Sequence, residues 1–263
     1  MHRAVFFLLA SVLLSTTSTA EEWKSLFNGK DLTGWDGDPK LWRVEDGVVK
    51  GTCEGPDALA HNTFLIWRDG VVKDFELKVI MRVKGDNNSG IQYRSRELPD
   101  IAPWVITGYQ CDVHPALEHT GMTYEEKDRG IFGLNGTKVM VDPDGVLWKL
   151  STHEPVAVDV AQWNEYTIIA RGNHLVHQIN GKVTSELIDH QEGKRALEGL
   201  LAIQLHRGNA NEVELKSISL RQLPASPLLP YDKAALPAGA ERIEKPKTSR
   251  PQGTGPAQKG AAK

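Results

Sequence analysis

Three short stretches place amide, carboxylate, guanidinium and imidazole groups at every second residue. In GYQCDVH (108–114), Gln110, Asp112 and His114 alternate with Tyr109, Cys111 and Val113. In SGIQYRSR (89–96), Gln92, Arg94 and Arg96 alternate with Ile91 and Tyr93. In GLLAIQLH (199–206), Gln204 and His206 alternate with Ile203 and Leu205. A strand points successive side chains to opposite faces, so each stretch has a packing face and a face of directional hydrogen-bonding groups. Sugar hydroxyls both donate and accept, and planar amides, carboxylates and guanidinium groups match them. An imidazole and a carboxylate among these groups add acid–base chemistry. Trp42, Trp67, Trp104 and Trp148 offer rings for stacking on sugars. A solvated outer face is the plainer reading of any one such strand. Three of them, with His and Asp present and Lys and Thr nearly absent, point to a carbohydrate-sized groove.

The elements that must position these groups are strands. DFELKVIMRVKG (74–85) alternates Phe75, Leu77, Val79, Met81 and Val83 with Glu76, Lys78, Ile80 and Arg82. LWRVEDGVVKG (41–51) is a strand, an Asp-Gly turn and a strand, a hairpin signature. Asn-Gly or Asp-Gly steps recur at 28–29, 46–47, 135–136, 144–145 and 180–181. No long run has helical periodicity, and at most a short helical turn is expected near 115–118 or 159–163. Many short strands with frequent turns predict an all-β sandwich or barrel from residue 21 to 223.

The ends differ from this domain. Residues 1–20 combine a basic start, an apolar run from Ala4 to Leu14 and small residues at 18 and 20. That pattern predicts a cleaved signal peptide and a secreted or periplasmic protein. The run is too short to span a bilayer, and no later segment is apolar enough, so no integral membrane segment is expected. Residues 224–263 are rich in Pro, Ala, Gly and Lys and predict a disordered tail. A formal net charge of −3 offers no electrostatic case for nucleic acid. Cys53 and Cys111 could pair in an oxidising compartment, but Cys111 falls on the packing face, where a free thiol behaves as a small hydrophobe.

Other residues are candidates by position. The connection HTGMTYEEKDRGIFG (119–133) carries Glu125, Glu126, Asp128 and Arg129, and such loops beside a rigid sheet often carry function. His61 and Asn62 precede an apolar strand and could close one end of a groove. Asp86, Asn87 and Asn88 form a turn with oxygen ligands for Ca²⁺, although a plain turn is the simpler reading. His177 alternates with Leu175 and Ile179 and reads as a half-buried packing residue.

The segments FNGKDLTGW, WRVEDGVVKG, DFELKVIMRV, NNSGIQYRS, GYQCDV, WNEYTIIARGNHLVHQING and IQLHRG, followed by VELKSISLRQL, resemble the 3-keto-disaccharide hydrolase family in order from about Trp23 to Leu223. The resemblance implies a concanavalin-like jelly roll of two curved antiparallel sheets, similar to laminarinase-type glycosidases. Those enzymes carry an E-x-D-x-E run on a central strand; here the counterpart keeps Asp112 alone. The resemblance also implies a chemistry with a lower requirement. A sugar oxidised at C3 has an acidified C2 proton. One base removes it, the C1 substituent leaves, and water adds afterwards.

By residue type and strand parity, His206 suits the base, and Arg94 or Arg129 the developing oxyanion. Asp112 or Glu126 suits the acid, or a group that orients His206. Gln92, Gln110 and Gln204 would hold hydroxyls, with Tyr93 and His114 as further substrate contacts. No metal ligand set is assigned; a divalent ion held through Asp112 and His206 is the variant. The expectation is an exported hydrolase of glycosidic bonds, of 3-keto-glycosides in particular. The rivals are a non-catalytic carbohydrate-binding module and a lectin-like surface domain.

Overall fold

The computed structural model describes residues 22–244. The expected signal peptide at 1–20, residue 21 and the last part of the expected tail, from 245, lie outside them. Among the described residues the protein is an all-β jelly-roll sandwich, with one 3₁₀ turn at Lys233–Ala235. One sheet has 11 strands and the other seven. Pairing is antiparallel except where Thr137–Val141 runs parallel to Lys182–Asp189.

The strand Phe75–Gly85 shows why two sheets form. Phe75, Leu77, Val79, Met81 and Val83 are buried between the sheets, while the alternate residues are half-exposed. Each such side chain contributes about 1.5–3 kcal/mol on burial. The Asp46-Gly47 hairpin joins Trp42–Glu45 to Val48–Cys53, with φ of 52° and 72° at the turn. No helix forms at 115–118 or 159–163; turns stand there instead.

The seven-stranded sheet positions the polar strand faces. Thr63–Trp67, Leu200–Leu205, Ser89–Glu97, Ile106–Val113 and Thr123–Glu126 lie side by side in that order. Across it Ile66 pairs with Ala202, Ala202 with Gln92, Gln92 with Gln110, and Gln110 with Tyr124. Val113 pairs with Ser89, and Leu205 with Thr63, so four strand ends meet at one end of the sheet.

One expectation changes, and the free-thiol reading of the cysteines holds. The segment from 224 is not a free tail as far as residue 244. Ser226 donates its N–H to Asp74 Oδ2 at 2.5 Å, and Leu229 to Asn173 Oδ1 at 2.8 Å. Tyr231 packs on His190, and Glu241–Ile243 adds an edge strand to Leu147–Thr152. Composition missed this because the docking is made by backbone groups and needs few apolar side chains. The two cysteines are unpaired and buried; the Cys53 thiol lies 3.6 Å from Gly55 O.

Candidate functional site

The four strand ends carry the site. Gln92, Gln110, Asp112 and Gln204 share the concave face, and all are 0–2 % exposed. Gly90 stands opposite Asp112, and its bare backbone gives the Gln110 side chain its place. A Cβ there would come within 2.3 Å of Gln110 Cδ. Gly90→Ala is therefore expected to displace the Gln110 amide and lower kcat at least about tenfold, as a misplaced first contact does. Steady-state kinetics with a thermal melt separates this from simple unfolding.

Glu126 joins them from Thr123–Glu126. Its carboxylate accepts from Asn62 Nδ2 at 3.2 Å and from Gln204 Nε2 at 3.3 Å. Gln204 lies two strands beyond the neighbour of Glu126, so the two side chains meet across the face of the sheet. Asp112 meets the Gln110 amide at 2.6 Å and Asn88 Nδ2 at 3.5 Å. Burial pushes the Asp112 carboxyl up to about 7, and the negative charge of Glu126 adds to it. Burial likewise pushes Glu126 up to about 7, against the opposing pull of Lys127 and the Asn62 hydrogen bond. Two carboxyls thus sit near neutrality on one concave face. A single carboxylate on the central strand is all that the sequence showed, because Glu126 comes from the next strand.

Two histidines stand half-buried at the rim. His206 Nδ1 lies 2.5 Å from Arg207 O, and a carbonyl only accepts, so Nδ1 carries the proton and Nε2 is an acceptor. Burial lowers its pKa to about 4. His114 Nδ1 accepts from Ala116 N at 2.9 Å, which puts its proton on Nε2 as a donor. Burial lowers its pKa as well, with His119 adding to the effect. The rim therefore offers one neutral donor and one neutral acceptor. The turn at 86–88 serves this end of the sheet: Asn87 Nδ2 donates to the carbonyls of His206, Arg207 and Asn209, and Asn88 reaches Asp112. Asn62 Oδ1 accepts from Arg207 N at 3.1 Å, while His61 is exposed.

Three candidates lie elsewhere. Arg94 is at φ 48°, where the register shifts between Tyr93 and Arg96, and strand parity fails there. Its guanidinium is buried on Lys73 O, Gly172 O and Asp74 Oδ1, so it cannot serve an oxyanion on the concave face. Arg94→Ala is expected to cost about 3–5 kcal/mol by leaving the buried Asp74 without its counter-charge. A denaturant melt checks this, with kcat of the surviving folded protein close to the parent. Arg129 is held by Glu125 and Asp189 at 2.5 and 2.8 Å, and stacks over Phe132. Tyr93 lies in the core, its hydroxyl 2.8 Å from His177 Nε2. His177 is fully buried rather than half-buried, because Tyr93 and Thr123 give its ring polar partners. Among the described residues no three His, Cys, Asp or Glu side chains gather closely enough to hold a metal ion, and Asp112 with His206 alone does not make a set. No helix among them is long and apolar enough to cross a membrane.

Comparison with known proteins bears on this arrangement. A search of curated proteins returns no significant match. A protein assigned as a glycosyl hydrolase from Parabacteroides distasonis has 19% identity over 77% of this chain and 100% of its own, with a TM-score of 0.51. A second such protein from that organism has 22% identity over 77% of this chain and 94% of its own, with a TM-score of 0.49. A carbohydrate-binding module from Bacillus subtilis has 13% identity over 70% of this chain and 93% of its own, at a TM-score of 0.43. The first of these likenesses shows the fold. A family model matches residues 22–221, nearly all of the sandwich, and on that match the chain belongs to the 3-keto-alpha-glucoside-1,2-lyase-like domain family, a carbohydrate-active group.

Proposed function

We propose that this protein cleaves 3-keto-glycosides by acid–base elimination at C1 and C2, outside the cytoplasm, followed by addition of water. The observation that carries the reading is the pair of buried carboxyls, Asp112 and Glu126, both poised near neutrality. A binding module has no need of such a pair, since burying it costs stability.

The ketone at C3 acidifies the C2 proton. Glu126 enters as the carboxylate, because two amide N–H groups already point at it. It takes the C2 proton, and the electron pair moves toward the C3 oxygen. The His114 Nε2–H is the donor suited to that oxygen. A neutral imidazole donates there without stabilising a full charge in the ground state. The C1–O1 bond then breaks, and Asp112 gives its proton to the leaving oxygen. Glu126 ends protonated and Asp112 ionised. Water adding at C1 reverses both changes. His206, expected as the base, is too weak at about 4 for a C2 proton. Its Nε2 and the Gln204 Oε1, a buried acceptor with no protein partner, suit sugar hydroxyls instead.

A substrate deuterated at C2 tests the path. In single turnovers the deuterated substrate should react more slowly than the protio substrate by a primary isotope effect. Equal rates would contradict removal of the C2 proton in the bond-breaking step.

A further inference from the structure

We infer that Gln92 and Gln110 form an amide relay, rooted in the backbone carbonyls of Gly108 and Tyr109, that holds Asp112 as the neutral proton donor. The inference rests on the reading of Asp112 and Glu126 as an acid–base pair and assigns the two roles within it.

One terminal atom of the Gln92 amide lies 3.2 Å from Gly108 O and 3.1 Å from Tyr109 O. Carbonyl oxygens only accept, so that atom is the nitrogen. The nearby Ser95 hydroxyl, at 3.0 Å, can donate or accept and does not decide the matter. The Gln92 oxygen then faces the Gln110 amide at 2.7 Å, and Gln110 must present its nitrogen there. The Gln110 oxygen is left 2.6 Å from Asp112 Oδ1. Two oxygens at that distance need a proton between them, and only Asp112 can supply it. In the opposite arrangement Gln110 Nε2 donates to an ionised Asp112 and Gln92 Nε2 to Gln110 Oε1. That arrangement turns the Gln92 oxygen onto two carbonyl oxygens in a fully buried place. There the Ser95 hydroxyl is its one donor, at 3.0 Å, and two carbonyl oxygens repel it.

Burial and Glu126 also favour the neutral Asp112, against the weaker pull of Asn88. Glu126 on the adjoining strand repels a second negative charge. Tyr166, from the opposite sheet, and Cys111 beside it are neutral and buried. Asn88 Nδ2, at 3.5 Å, is the one donor aimed at the carboxyl. Glu126 in contrast accepts two amide N–H groups, which favours its ionised form. The relay thus separates two similar carboxyls into a donor and a base.

The experiment follows the carbonyl stretch of the protonated acid by infrared spectroscopy in substrate-free protein. Asp112→Asn identifies the band by its loss. At pH 6 the parent protein should show Asp112 protonated. In Gln110→Met the neutral acid loses its acceptor, so the titration should move down by about one pH unit. If Gln110 donates to an ionised Asp112, the same variant moves it up. Gln92→Met, which frees Gln110 to reverse, should also move it down and shift the alkaline limb of kcat with it. An ionised Asp112 at pH 6, an upward shift or no shift in a folded variant would overturn the relay. The infrared titrations need no substrate, so they stand apart from whether 3-keto-glycosides are cleaved.

Discussion

Glu126→Gln is expected to lower kcat on a 3-keto-glycoside by about 10²–10⁴-fold with little change in substrate affinity. The glutamine keeps the length and one acceptor of the side chain. Asn62 and Gln204 each offer an N–H to the two carboxylate oxygens, so one of these contacts must be lost or turned. The larger effect is the missing base, because an amide does not take a proton from carbon. The alkaline rise that follows ionisation of Glu126 near pH 7 should disappear from the variant's residual rate. Single-turnover kinetics across pH 5–9 reads this directly. A variant with near-parent kcat would remove Glu126 from the chemistry.

Asp112→Asn should combine loss of turnover with a gain in stability at alkaline pH. The turnover loss is again about 10²–10⁴-fold, because the leaving oxygen has no proton donor. The stability gain follows from the raised pKa. In the unfolded chain Asp112 ionises near 3.8, and in the folded protein near 7. Between these values the folded state binds the extra proton, so stability falls as pH rises toward about 7 and stays lower above it. Burying the ionised group at pH 8 costs on the order of a few kcal/mol, at 1.36 kcal/mol per pH unit between the two values. Asparagine has no charge to bury and can still offer N–H to the Gln110 oxygen. Denaturant melts should show the variant more stable than the parent at pH 8 and nearly equal at pH 4. Equal stability at both would mean that Asp112 is not a buried acid.

Strand parity carried the sequence reading a long way. Gln92, Gln110, Asp112 and Gln204 share a concave face because apolar partners at alternate positions fix which side is buried. Parity failed at Arg94, where a bulge and a positive φ turned the side chain toward Asp74. No local pattern announces that bulge. Nor does one pair Asp112 with Glu126, since the partnership depends on the order of strands in the sheet. Glu126 was visible only as a charge in a connection that proves to be a strand. The histidines were legible by type but not by tautomer. That depends on Arg207 O and Ala116 N, backbone groups whose directions the chain sets only once folded. Asn62 and Asn88 had signals in the sequence, as residues flanking a strand and a turn. Their work on the two carboxyls emerged with the fold.

The central claim is that two near-neutral carboxyls on a jelly-roll sheet cleave a glycosidic bond activated by a C3 ketone. The most direct measurement is turnover by the purified protein of a 3-keto-disaccharide beside its unoxidised parent. Release of free sugar from the keto compound alone is the predicted result. Equal cleavage of the parent disaccharide, which has no acidified C2 proton, would contradict the account.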